Sequence, residues 1–178
     1  DGEVRFDNFK VSREIKHDDY VPVPVPVVDD YNIGINVCSL WQNGTHGGWS
    51  CITPYDDKQP ILGYYDEGNP ETADWEIKYF LEHGVDFQAF CFFFNQEWPQ
   101  RPVNEVHPFD GYMNAKYSDM SKYCIIWEAG NSQSPRSMAE WKNNYVPYIV
   151  ENFLKDPRYM TIENRPVLAM FGMNEFRN

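Results

Sequence analysis

Between Gly63 and Phe94 the chain reads GYYDEGNPETADWEIKYFLEHGVDFQAFCFFF, a stretch of spaced apolar positions followed by a run with almost no polar relief. Ala73, Ile77, Phe80 and Leu81 recur at i, i+4, i+7 and i+8, which predicts a helix with one apolar stripe. Asn69 stands where an N-cap belongs, Pro70 suits the first helical position, and Glu71 and Asp74 bring negative charge to the opening turn. Gly84 ends the helix. Val85 to Phe94 then predicts a strand buried on both faces, as in a parallel sheet.

The same alternation continues on either side. Strands are predicted at Asn32 to Val37, Lys122 to Trp127 and Val167 to Met173, and a short helix near Phe109, Tyr112 and Met113. Ser137 and Glu140 form a capping box that opens a helix with Trp141, Tyr145, Tyr148, Ile149 and Phe153 on its apolar side. Pro147 should kink that helix, Asp156-Pro157 should close it, and Glu163-Asn164 should turn the chain into the last strand. Four strands of βα type fit an open doubly wound sheet or the amino-terminal half of a (β/α)8 barrel. No GxGxxG or phosphate-binding loop follows the first strand, and every strand ends in polar and aromatic residues, so the α/β half-barrel is the expected fold. The remaining strands would come from sequence not present in this chain or from a second chain.

Residues 1–30 have another texture. DGEVRFDNFKV alternates Val4, Phe6 and Phe9 with polar residues, like an antiparallel strand, and Val21 to Val28 reads VPVPVPVV. Alternating prolines cannot donate regular sheet hydrogen bonds and favour polyproline geometry, so this stretch is either an interdomain linker or an extended arm packed on the surface. The expected division is therefore residues 1–30, the end of a β-sandwich module plus linker, and residues 31–178, the half-barrel.

A net charge of -12 with only 15 Lys and Arg argues against nucleic acid and anionic membrane surfaces, and no run reaches the length of a membrane span. A neutral ligand fits better. Aromatic residues make up 17% of the chain, and those in Gly- and Asn-rich loops suit sugar rings, although a core rich in aromatics reads the same way. Cys38, Cys51, Cys91 and Cys124 lack zinc spacing, so neither a metal nor a cofactor is expected. Cys38 and Cys51 flank a loop and could pair in an oxidising compartment. The opening at Asp1 is expected to be a processed or trimmed terminus.

The candidate chemistry lies after the strands. Glu175, preceded by Asn174, follows the fourth strand, where a desolvated carboxyl can protonate a leaving oxygen; the same pair can also cap a following helix. Glu128, after Trp127, is the second carboxylate at a strand end, and glycoside hydrolysis needs two. Glu97 and Trp98 after the second strand read as substrate contacts, as does Trp127. The loop LWQNGTHGGWSCITPY places Trp41, His46, Trp49 and Tyr55 among glycines that let backbone approach a ligand closely. Asp56-Asp57 is a cation site or a solvated turn, and Asn43-Gly44-Thr45 matches a glycosylation acceptor.

The run THGGWSCITPYDDKQPILGYYDEGNPETADWEIKYFLEHGVDFQAF, with YCIIWE and FLKDPRYMTIENRPVLAMF, resembles the family 99-like glycoside hydrolases over roughly residues 31 to 176. That group includes endo-acting α-mannosidases and relatives labelled glycosyltransferases. The resemblance implies a barrel acting on mannose-containing or related polysaccharides, in a secreted or periplasmic enzyme. It also implies that the essential carboxylates lie beyond Asn178, which would leave Glu175 as a binding or supporting group. The opening DGEVRFDNFKV resembles the last strand of a jelly-roll carbohydrate-binding module. Alternatives to hydrolysis are a sugar-binding barrel without turnover, or glycosyl transfer. The oligomeric state is left open.

Overall fold

A computed structural model describes residues 20–42, 48–94, 103–104, 107–128 and 135–172. Strands β1 (Gly34–Val37), β2 (Phe87–Phe94), β3 (Lys122–Glu128) and β4 (Leu168–Phe171) lie side by side in that order, all parallel. They form the curled sheet of a half-barrel. Helix α1 (Pro70–Glu82) joins β1 to β2, α2 (His107–Asn114) lies between β2 and β3, and the helical stretch over residues 138–154, α3, leads towards β4. The first strand and the last are thus shorter than their patterns predicted, while β2 runs nearly the full predicted length.

Alternation along the strands decides what each residue meets. Phe90, Phe92 and Phe94 of β2 share a face with Ile125 and Trp127 of β3, and this face turns to the helices. Phe90 meets Phe109 of α2 at 5.2 Å, Phe92 meets Phe153 of α3 at 5.2 Å, and Phe94 meets Tyr145 at 3.9 Å between ring centres. Contacts of this kind are each worth about 0.5–1.5 kcal/mol beyond burial. On the concave face Phe87, Cys91 and Phe93 are only half-buried. The expectation of a strand buried on both sides is therefore met on the helix side alone, because a half-barrel leaves its inner face open. Phe87 lies over Gly34 of β1, where a Cβ would fall 2.1 Å from the ring, so a larger residue there would have to displace the ring.

Local signals set the helix ends as predicted. The Asn69 side chain accepts from the Glu71 N–H at 2.9 Å, and Gly84 takes a φ of 74° after the last turn of α1. Ser137 caps α3 by accepting from the Glu140 N–H at 3.1 Å. Glu140 reaches back to the Arg136 N–H at 2.6 Å, one residue ahead of the partner a capping box would use. Where a kink was expected at Pro147, the helix has a π turn over Trp141–Tyr145, in which the Val146 N–H bonds to the Trp141 carbonyl. A widened turn accommodates a ring that cannot donate and would crowd an α-helical carbonyl. Glu163 and Asn164 both adopt left-handed φ values, 51° and 61°, and reverse the chain in a tight hairpin between Thr161–Ile162 and Arg165–Pro166.

The Val-Pro stretch is a packed arm. Val21 is 2% exposed and Pro24 is buried, three residues apart, while Pro22, Val23 and residues 25–28 face solvent. The Val27 N–H donates to the Leu81 carbonyl at 2.9 Å, and the Tyr117 hydroxyl donates to the Val21 carbonyl at 2.8 Å. A jelly-roll remnant has no support: the described part of residues 1–30 begins at Tyr20, and the DGEVRFDNFKV strand lies outside the described residues.

Asp74 anchors this arm. Wholly buried in α1, its carboxylate accepts from the Tyr20 hydroxyl, the Lys116 N–H at 3.0 Å and the Tyr117 N–H at 2.7 Å. It ties the arm, α1 and the turn after α2 into one unit. Burial and the neighbouring carboxylate push the Tyr20 phenol well above its ordinary value, so it stays a donor. Asp74→Ala strands three donors and is expected to lower stability by about 3 kcal/mol or more, against about 1–2 kcal/mol for Tyr20→Phe, both read from urea denaturation.

Candidate functional site

Because β1 to β4 are parallel, their carboxyl ends share one rim, and the loop leaving β1 builds the best described part of it. Trp41 stacks on Trp49 with ring centres 4.3 Å apart and planes 15° from parallel. Trp49 is buried, donates its indole N–H to the Tyr65 carbonyl at 2.6 Å, and is flanked by the rings of Tyr64 and Tyr65. It is packed inside the wall, whereas its loop position suggested a ring open to a ligand. Tyr55 and Tyr64 remain open, at 58% and 41% exposure, and Trp41 is half-buried. Tyr64 was not among the residues predicted from sequence, although it stands beside them in GYYDEG.

Glu67 ties Trp41 to this wall. Glu67, buried, gives its backbone N–H to the Trp41 carbonyl at 3.1 Å and takes the Trp41 N–H on Oε2 at 2.7 Å. Gly111 of α2 presses directly on it: a Cβ there would sit 2.3 Å from the Glu67 carbonyl oxygen. Burial, then the charge of Glu67, pushes the Glu76 carboxyl of α1 up to about 8. Burial and the charges of the same two residues push the Tyr65 phenol up to about 12. A carboxyl that keeps its proton near neutral pH can donate a hydrogen bond or a proton, which makes Glu76 the most chemically perturbed acid of the described residues.

Trp127, expected at the mouth, lies elsewhere. It is 2% exposed and stacks on Trp141 of α3 at 4.9 Å, so it points behind the sheet. The register explains this: Trp127 is paired with Phe92 and shares its face. Behind it, between α3 and β4, lies an apolar cavity of about 380 Å³ lined by Pro135, Met138, Trp141, Leu168 and Met170 along with Arg136 and Ser137. Glu128 ends β3 in register with Phe171 of β4, and its side chain is outside the described set. His46, Glu97, Trp98, Asn174 and Glu175 also lie outside the described residues. Of the predicted site residues, then, Trp41 and Trp49 meet, and Trp127 is on the far side of the sheet.

Asp56 and Asp57 form an exposed turn in which Asp57 pairs with Lys58 at 3.0 Å, the solvated alternative. Among the described residues no group of three His, Cys, Asp or Glu side chains could hold a metal ion, and no helix is long and apolar enough to cross a membrane. Cys38 and Cys51 are exposed thiols, not a disulfide, and burial pushes the Cys124 thiol up to about 11.

No family model and no curated protein sequence matches the chain. Solved structures do. A structure of the GH99 endo-alpha-mannosidase from Bacteroides thetaiotaomicron in complex with BIS-TRIS-Propane superposes with a TM-score of 0.58 at 18% identity, over 83% of this chain and 43% of that one. A second structure of the GH99 endo-alpha-mannosidase from the same organism gives 0.55 at 15% identity, over 84% and 47%. The likeness is one of fold. The chain spans less than half the length of either protein.

The raised Glu76 carboxyl has a signed consequence. Below its ordinary value of 4.5 the group is protonated folded and unfolded alike; between 4.5 and about 8 only the folded state keeps the proton. Stability should therefore fall as pH rises through that window and level off above it. Glu76→Gln is expected to match the wild type near pH 4 and exceed it at pH 8 and above, as read from denaturation midpoints across the series.

Proposed function

We propose that this chain is the amino-terminal half of a glycoside-hydrolase barrel that binds a glycan across the rim formed by its strand ends. The observation that carries the reading is the parallel curled sheet, whose order and direction gather the segments after β1, β2, β3 and β4 at one end. In such barrels the chemistry sits at that end. The fold shared with the two endo-alpha-mannosidase structures supports the same class. Glu128, at the end of β3, and Glu175, which follows β4 in the sequence, are the proposed acid/base carboxylates. Trp41, with the exposed Tyr64 and Tyr55, offers ring faces for a sugar, joined by His46, Glu97, Trp98 and Asn174 from the same set of loops. A mannose-containing polysaccharide is the proposed substrate and a secreted or periplasmic location the proposed setting.

A second reading, a sugar-binding barrel without hydrolysis, is favoured by the wall itself. Its buried carboxylate, Glu67, is committed to holding Trp41 in place. One pair of assays separates the two. Turnover of an end-labelled mannose-containing oligosaccharide should fall about 100-fold or more in Glu128→Gln or Glu175→Gln, with binding by calorimetry retained. Turnover unchanged in both variants removes them as catalysts, and binding without turnover in the wild type favours the second reading.

A further inference from the structure

Two cysteines stand level across the first two strands, on the inner face of the sheet. The parallel ladder pairs Asn36 with Ala89 and Val37 with Phe90, so one residue further along both strands Cys38 comes opposite Cys91. Parity puts both on the concave side with Asn36 and Ala89. Two observations agree with that placement. The Cys91 thiol donates to Asn36 Oδ1 at 3.5 Å, so its side chain leans towards β1. Past the end of β1 the alternation of exposure continues, with Cys38 exposed and Ser39 buried. Paired strands lie about 4.8 Å apart, inside the Cα separation of about 4.4–6.8 Å that a disulfide spans.

We propose that Cys38 and Cys91 form a reversible disulfide that staples the root of the rim loop to β2. The pairing rests on strand register and not on the glycan reading. The other two thiols are worse placed. Cys124 is level with Ala89, two residues behind Cys91, and is buried, which pushes its thiol up to about 11. Cys51, the partner that the sequence suggested for Cys38, ends the helical turn Gly48–Cys51 and would close the loop only on itself. Cys38, the more exposed of the pair, is the first nucleophile. Its thiolate attacks a small-molecule disulfide such as oxidised glutathione, forming a mixed disulfide and expelling one glutathione thiolate. The Cys91 thiolate then attacks the Cys38 sulfur and expels the second. Two protein thiols are oxidised, glutathione disulfide is reduced to two thiols, and the two protons end on those thiols. The bond closes a loop that contains all of α1, which restricts the unfolded chain. It would hold the strand side of the wall, as Glu67 holds Trp41 from the loop side.

Peptide mapping without reductant tests this on the whole chain, after equilibration with a large excess of oxidised over reduced glutathione and alkylation of the remaining thiols. The expected product has a link between the Cys38 and Cys91 peptides within one chain and has lost two of its four thiols. Its urea midpoint should rise on oxidation and fall back with dithiothreitol. Cys51→Ser should match the wild type in all three readouts. Cys38→Ser, at an exposed position, should lose the link, the thiol change and the midpoint shift, as should Cys91→Ala, with circular dichroism confirming that each variant folds. A Cys38–Cys51 link, glutathione adducts that never resolve, links only between chains, or retention of all the thiols overturns the proposal.

Discussion

Everything in this fold hangs on the period of two along β2. Placing Phe90, Phe92 and Phe94 on one side gives α2 and α3 a continuous aromatic surface to pack against, through Phe109, Tyr112, Tyr145 and Phe153. The other side is left to the barrel interior. Slipping the strand by one residue would exchange the two sets, exposing three phenylalanines and burying Cys91 beneath the helices. Because β3 is held to β2 in register, the same choice fixes Tyr123, Ile125 and Trp127 on the helix side.

Much of this was legible in the sequence where the cause is local. The Asn69-Pro70 start of α1, the Gly84 stop, the Ser137 cap and the Glu163-Asn164 reversal each depend on atoms within a few residues, and each is found where the pattern put it. Trp127 was misplaced because a continuous apolar strand gives no sign of which parity faces the helices. That parity is set by a neighbouring strand. Asp74 was legible as a charge near a helix start but not as a buried anchor, since its partners Tyr20 and Tyr117 lie 54 and 43 residues away.

The same limit applies to the candidate site. The aromatic loop was recognisable from composition, yet which rings are open to a ligand depends on how they stack on one another. Trp49 spends its surface on Trp41, Tyr64 and Tyr65, so the residues left facing outward are the less conspicuous tyrosines. Glu67 and Glu76 gave no signal at all, because their interest comes from shared burial across the junction of a loop and a helix.

The arm before β1 has a bearing on how the chain reaches its fold. Its docking surface consists of α1 together with the turn after α2, and its bonds span large separations, 54 residues from Tyr20 to Asp74 and 96 from Val21 to Tyr117. The complete docking surface needs α1 and the turn after α2 side by side, where Asp74 accepts from the N–H groups of Lys116 and Tyr117. The arm is therefore positioned to dock after α1 and the turn after α2 have come together. Its prolines suit that order: an arm already stiff in the extended form has little freedom left to lose when it finally docks.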